Sequence, residues 1–145
     1  MREILFRGKR LDNGEWVEGA YCPKNCDSPF GPMIDKPSII KLDDPFSGFW
    51  FDVDPSTVGQ YTGLCDKNGK KIFEGDIVLV SWSSSNNTVS ETYVVVYSKS
   101  GFFCKDKERL LGQLSNYVYR NAHTIQCEVI GNIHDNTELL EDVGR

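Results

Sequence analysis

Val58-Gly59-Gln60-Tyr61-Thr62-Gly63-Leu64-Cys65-Asp66-Lys67-Asn68-Gly69-Lys70-Lys71-Ile72-Phe73-Glu74-Gly75-Asp76-Ile77-Val78-Leu79-Val80 is a turn followed by a strand. Asn68-Gly69 can take the left-handed backbone of a tight hairpin, because glycine has no Cβ to clash and asparagine tolerates that region. Ile72 to Val80 supplies the apolar strand after it. The passage holds no catalytic grouping and no metal cage, so it speaks for architecture rather than for chemistry.

Working outward, extended segments dominate. Glu3 to Arg7 reads as a short strand, and Leu11 to Tyr21 places a second Asn-Gly turn, Asn13-Gly14, between two apolar edges. Asn68-Gly69-Lys70-Lys71-Ile72-Phe73-Glu74-Gly75 echoes Asn13-Gly14-Glu15-Trp16-Val17-Glu18-Gly19, which predicts two hairpins of similar geometry. On the C-terminal side a strand over Ile77 to Trp82 runs into Ser83-Ser84-Ser85-Asn86-Asn87-Thr88, read as a mobile polar loop. Thr92 to Ser98 contains Val94-Val95-Val96, the run expected of a strand covered on both faces. Leu110, Leu111, Leu114, Tyr117 and Val118 recur at helical spacing and predict a helix over 106–120, with Gly112 against it. His123, Ile125, Cys127 and Val129 alternate as in a strand, and a final helical turn near Asn136 to Leu140 is capped by Asp135 or Asn136.

Cys22 to Pro55 contains all six prolines, which argues against long helices and central strands there. Within it Phe46, Phe49, Trp50 and Phe51 form an aromatic knot flanked by Asp43, Asp44, Asp52 and Asp54. Two readings of the rings stand open. They plug one end of a barrel, or they form a partner-binding surface of aromatic anchors with a polar rim.

At 145 residues the chain is the size of one domain, long enough to bury a core without disulfide or metal support. Its 39% hydrophobic and 26% charged residues place it with globular proteins. Sixteen basic against 21 acidic residues give a net charge of -5, which argues against a general binder of phosphate backbones. The most basic neighbourhoods, Arg2-Arg7-Lys9-Arg10 and Lys105-Lys107-Arg109-Arg120, are interleaved with Glu3, Asp106 and Glu108. Five cysteines, at 22, 26, 65, 104 and 127, suit free thiols in a reducing cytoplasm. No export signal is expected at the N-terminus, and no apolar run approaches the roughly 18 residues of a membrane span.

Cys22, Cys26, His123 and Cys127 together would suit zinc, but nothing in their spacing forces the two pairs to meet, so no metal and no cofactor are expected. His123 and His134 sit in no recognisable triad or Cys-His context, no glycine-rich phosphate cradle follows a strand, and the paired acids of the proline-rich region read as solvated. No catalytic residue is assigned. A metal-binding protein or a hydrolytic enzyme is the weakest of the readings.

Three blocks resemble the YopX family of phage and prophage proteins. They are Arg2-Glu3-Ile4-Leu5-Phe6-Arg7, the whole Val58 to Val80 passage, and Glu128-Val129-Ile130-Gly131-Asn132-Ile133 followed by Glu138-Leu139-Leu140. The resemblance implies a mostly β fold: a small SH3-like β-barrel over 59–145, with a helix inserted near 106–120. Residues 1–58 would form an N-terminal β-hairpin and a Pro/aromatic-rich region packed on it, all one compact unit with one or two short helices. It implies a structural signature of Tyr61, Gly63, Asp66, Asn68, Gly69, Gly75, Asp76, Gly131 and Asn132. Tyr61 and Ile72 belong to the core, the glycines form turns, and Asp66 and Asp76 accept backbone hydrogen bonds. The role expected is that of a non-catalytic phage accessory protein in the bacterial cytoplasm. It would bind a host or phage protein, or further copies of itself, through Phe46, Phe49, Trp50 and Phe51; the alternative is a nucleic-acid-associated small-barrel module.

Overall fold

The computed structural model describes residues 3–24, 36–41, 50–118 and 125–144. The chain divides into two units, Met1–Tyr61 and Thr62–Arg145.

In the first unit β1 (Phe6–Arg10) and β2 (Trp16–Cys22) form the expected hairpin. Gly14 takes φ 71° at its turn, Asn13 Oδ1 accepts the Glu15 N–H at 2.9 Å, and Gly14 N–H donates to the Arg10 carbonyl at 2.9 Å. β3 (Ser38–Ile40) pairs β2 on one side and the start of β4 (Trp50–Cys65) on the other, and β1 also pairs β4. These strands enclose Val17, Ile39 and Val53, none more than 4% exposed. Gly19 is required by that closeness, because a Cβ there would lie 2.0 Å from the Ile40 carbonyl oxygen. Pro55 lies inside β4, where the sequence argues against a strand. The β1–β4 register jumps from Arg7↔Gly59 to Lys9↔Asp54, so the proline occupies an interruption of the ladder where no N–H is needed. Asp54 and Thr57 hold the excursion: Thr57 Oγ1 donates to the Asp54 carbonyl at 2.6 Å and accepts the Lys9 N–H at 2.9 Å.

In the second unit the end of β4 and β5 (Lys71–Phe73) flank the Asn68-Gly69 turn, with Gly69 at φ 80°. β6 (Asp76–Ser84), β7 (Asn87–Ser98), β8 (Gly101–Lys105), β9 (Leu110–Gln113) and β10 (Ile125–Asn132) make an antiparallel sheet in the order β10-β6-β7-β8-β9. Its core is Ile72, Val78, Val80, Tyr93, Val95, Cys104, Leu114, Cys127 and Val129, with Trp82, Leu111, Tyr117 and Val118 packed against it. The fold is thus mostly β, in two antiparallel sheets. The pairings do not make the single SH3-like barrel expected from the resemblance, because β9 and β10 stand at opposite ends of this sheet with no pairing between them among the described residues.

Three further expectations are corrected here. The helix over 106–120 is replaced by β9 and a single turn, α1 (Ser115–Val118). Asp106 Oδ1 accepts the N–H groups of Glu108 and Arg109 at 2.9 and 2.6 Å, a side-chain turn that competes with a helix start and sends Leu110 back along β8. Leu111, Leu114, Tyr117 and Val118 still reach the core, and Tyr117 lies over Gly112, where a Cβ would meet its Oη at 3.0 Å. Ser83 to Thr88 is not a loop but the far end of the β6–β7 ladder, closed by a two-residue turn between Ser84 and Asn87. The final turn is a 3₁₀ helix, Thr137–Glu141, and Asn136 caps nothing with its side chain; its Oδ1 instead accepts the Asn132 N–H at 3.1 Å.

Asp66 ties the second unit together. One carboxylate oxygen accepts the N–H groups of Asn68 and Lys70, each at 2.9 Å, and the other accepts the Val129 N–H of β10 at 3.0 Å. Burial pushes its carboxyl up, but the donated hydrogen bonds from Val129, Lys70 and Asn68 outweigh burial and hold it below its ordinary 3.8. A lowered folded value means that the stabilisation is fully present above about pH 4 and is lost as pH falls through the folded value. Asp66→Ala is therefore expected to cost about 2 to 4 kcal/mol in urea unfolding at pH 7, since it orphans buried donors. The deficit relative to wild type should shrink steadily below pH 4; a deficit independent of pH would contradict this assignment.

Candidate binding site

Alternation along the start of β4 separates two members of the aromatic knot, because neighbouring residues of a strand face opposite sides. Phe51 packs against the Val17, Ile39 and Val53 core, and its outer face is covered by the Arg10 guanidinium, 4.2 Å from the ring centroid. Trp50 turns outward and is 38% exposed. Phe51 thus lies against a core and Trp50 at the surface; Phe46 and Phe49 lie outside the described residues.

Trp50 borders an open groove of about 390 Å³ whose other walls are Leu11, Asp12, Lys36, Phe51 and Asp52. Its rim is set by hydrogen bonds. Arg10 donates from Nε to Asp12 Oδ1 at 2.9 Å and from Nη2 to Oδ2 at 2.5 Å, and this side-chain bond holds the Asp12 carboxyl below its ordinary value. Leu11 N–H donates to the Asp52 carbonyl at 2.9 Å, and the Asp52 carboxylate accepts the Ser38 hydroxyl at 3.1 Å. Leu11 itself is 60% exposed, so two apolar side chains flank a polar floor on backbone that is already fixed. A second aromatic and basic group lies on the other face of β1, where the Arg7 guanidinium and Lys9 Nζ sit 4.6 and 5.5 Å from the Trp16 ring centroid. The sequence signals Arg7 and Lys9 only as scattered charge; cross-strand register assembles them with Trp16.

The signature residues are structural in their contacts. Asp76 is 1% exposed and its Oδ2 accepts the Phe73 N–H at 2.8 Å, closing the Glu74-Gly75 turn, where Gly75 has φ 91°. Thr62 Oγ1 donates to the Ile72 carbonyl at 2.7 Å, and Tyr61 is 6% exposed. Asn132 Oδ1 accepts the N–H groups of His134 and Asp135 at 3.0 and 2.9 Å, so that His134 belongs to a turn. A Cβ at Gly131 would lie 2.5 Å from Asn136 Oδ1, which is why that position carries glycine.

A second depression, of about 520 Å³, runs along Cys65 to Asn68 and Ile125 to Cys127 in the second unit. Its carboxylate, Asp66, is occupied by three backbone N–H groups. Burial pushes the Cys127 thiol up to about 12, and likewise that of Cys104 in the core. Both are then poor sources of thiolate at neutral pH. Cys22 is disulfide-bonded, which corrects the expectation of five free thiols; Cys65, Cys104 and Cys127 are in no disulfide. The number and spacing of cysteines do not show which sulfurs the fold brings within bonding reach; Cys22, 4% exposed, ends β2. No three His, Cys, Asp or Glu residues among those described cluster as a metal site, and Cys26 and His123 lie outside them. No described helix is long and apolar enough to cross a membrane.

A family model described as YopX protein matches residues 5–141. No curated protein matches the chain. Among solved structures, the crystal structure of protein EF1440 from Enterococcus faecalis is similar over 97% of this chain and 99% of that one, with 28% identity and a TM-score of 0.56.

These placements separate three thiols and two rings experimentally. In the native state at pH 8 a water-soluble thiol reagent is expected to modify Cys65 and to leave Cys104 and Cys127 untouched until denaturant is added. Phe51→Ala should cost about 2 to 4 kcal/mol in unfolding, whereas Trp50→Ala should stay within about 1 kcal/mol of wild type. Equal losses at both positions would show that the two rings share one environment.

Proposed function

This chain belongs to the YopX protein family, and on that premise we propose that it is a non-catalytic accessory protein of a phage or prophage. It acts in the bacterial cytoplasm by binding another protein of phage or host through the Leu11–Trp50 groove. The observation that carries this reading is Trp50: a large ring left 38% exposed on a strand paired on its β3 side, beside exposed Leu11 and between charged rims. Fixed aromatic anchors in a concave, polar-rimmed setting contribute most of the energy at many protein interfaces. The commitment of Asp66, Asp76, Cys104 and Cys127 to backbone bonds or to the core supports a binding role over an enzymatic one.

A second reading has an observation of its own. Arg7 and Lys9 flank Trp16 on one face of β1, the combination of cation and ring that single-stranded nucleic acid uses. Overall charge weighs against it, since the chain carries -5.

The deciding experiment is capture from a lysogenic host with wild-type bait beside Trp50→Ala and Leu11→Glu. Both variants should keep the wild-type unfolding midpoint and lose the captured protein by at least about tenfold, the effect of removing one anchor. Retention by both variants would remove the groove from consideration. In parallel, fluorescence anisotropy with a labelled oligo-dT strand at low salt should show no binding; tight binding with a steep salt dependence that Trp16→Ala abolishes would favour the second reading.

A further inference from the structure

The β6–β7 hairpin outruns the sheet that carries it. The two strands pair as far as Ser84 and Asn87, whereas among the described residues β10 follows β6 only to Trp82 and β8 follows β7 only between Val94 and Ser98. Ser83 to Ser90 therefore stand out as a two-stranded ribbon, and all are exposed. Which backbone groups face outward can be worked out. The Thr92 carbonyl accepts the Gly144 N–H at 3.1 Å, and Thr92 bridges Val143, on the edge of β7 away from β6. Alternate residues of an antiparallel strand turn their N–H and C=O to the same edge, so Ser90 and Thr88 share the direction of Thr92. Glu91, Val89 and Asn87 then bond to β6 opposite Val80, Trp82 and Ser84. The 2.9 Å contact between the Ser81 and Ser90 hydroxyls fits this parity, since side chains come closest at pairs that do not exchange backbone bonds.

Exposed strand edges in folded proteins are usually blunted by charge, proline or a bulge. This edge has none of them. From Ser81 to Ser90 there is no charged residue and no proline, and the register runs unbroken from Ile77↔Val94 to Ser84↔Asn87. Val89, in the middle, is 50% exposed.

We propose that this edge of β7 pairs antiparallel with the same edge of a second copy of the chain, about a two-fold axis at Val89. Thr88 of each copy then lies opposite Ser90 of the other, and the outward N–H and C=O of both residues are satisfied across the axis. The two Val89 side chains face each other at the close, non-hydrogen-bonded position. Asn87 meets Glu91, so no like charges are opposed. An uncharged edge is complementary to itself, whereas a charged partner strand would lose hydration against it without finding a counter-charge. The contact is small, well under the roughly 1,000 Å² of a stable interface, so the association is reversible and depends on concentration.

Sedimentation velocity on the full chain from micromolar to millimolar concentration tests the proposal. The wild-type mass should rise from 16.4 kDa towards twice that value. Ser90→Pro removes an outward N–H that takes no part in the β6–β7 ladder, and Val89→Lys sets like charges face to face at the axis. Both variants should stay at the single-chain mass with unchanged circular dichroism and melting temperature. Should Ser90→Pro disturb the hairpin, Val89→Lys and Thr88→Lys decide. A wild-type chain that stays single at every concentration, leaving the edge to another protein's strand or to none, overturns the proposal. So does a dimer that persists in Val89→Lys and Thr88→Lys, which would place the contact elsewhere.

Discussion

The second unit depends on one carboxylate. Asp66 accepts two N–H groups from its own turn and a third from Val129, 63 residues further along. A hairpin turn needs its donors satisfied locally, and the edge of β10 needs an acceptor where no strand lies beside it; one side chain does both. The neighbouring Lys67 adds a backbone bond to the Cys127 carbonyl at 2.9 Å, and its Nζ lies 3.4 Å from Glu128. The Asp66 to Lys70 turn thus covers the outer edge of β10 as a strand would, and the passage with the most distinctive sequence is the passage that closes the structure.

That cover contrasts with the treatment of the other strand edges. At β7 the outer groups of Val94 to Ser98 are taken by β8 and that of Thr92 by Gly144, leaving the ribbon beyond them open. The openness follows from strand length. β6 and β7 are 9 and 12 residues long while β8 and β9 are 5 and 4, so among the described residues the hairpin has no neighbouring strand over its far half. The second unit thus leaves a backbone edge open at the end of its longest hairpin, and the first leaves the Trp50 ring exposed.

The groove of the first unit is built by register. Lys9↔Trp16 across β1 and β2 brings a cation to a ring, and Ile39↔Phe51 with Ile40↔Trp50 sends one ring inward and the next outward. The Arg10 guanidinium lies over Phe51 and is paired with Asp12, so the cation that covers the inward ring is already neutralised.

Local chemistry alone specified much of this protein. Asn13-Gly14 and Asn68-Gly69 announce their hairpins because few other dipeptides tolerate that backbone, and the apolar run of Ile77 to Val80 and the alternation of Ile125, Cys127 and Val129 announce strands. Asp66 and Asp76 were legible as turn acceptors for the same reason; that Asp66 also reaches Val129 was not, since nothing local records a partner so distant. The spacing of Leu111, Leu114, Tyr117 and Val118 was genuinely apolar, but four side chains reach one core as well from a strand and a single turn as from a helix. Only the Asp106 turn and the pairing with β8 chose between them. The Ser83 to Thr88 segment carries no apolar anchor and looks like a loop; it is a strand because Ile77 to Trp82 and Val89 to Val94 set the register and a two-residue turn carries it to the tip. Which ring of the aromatic knot faces solvent was likewise decided by tertiary structure, because the face a strand residue takes depends on pairing with neighbours far away in the chain.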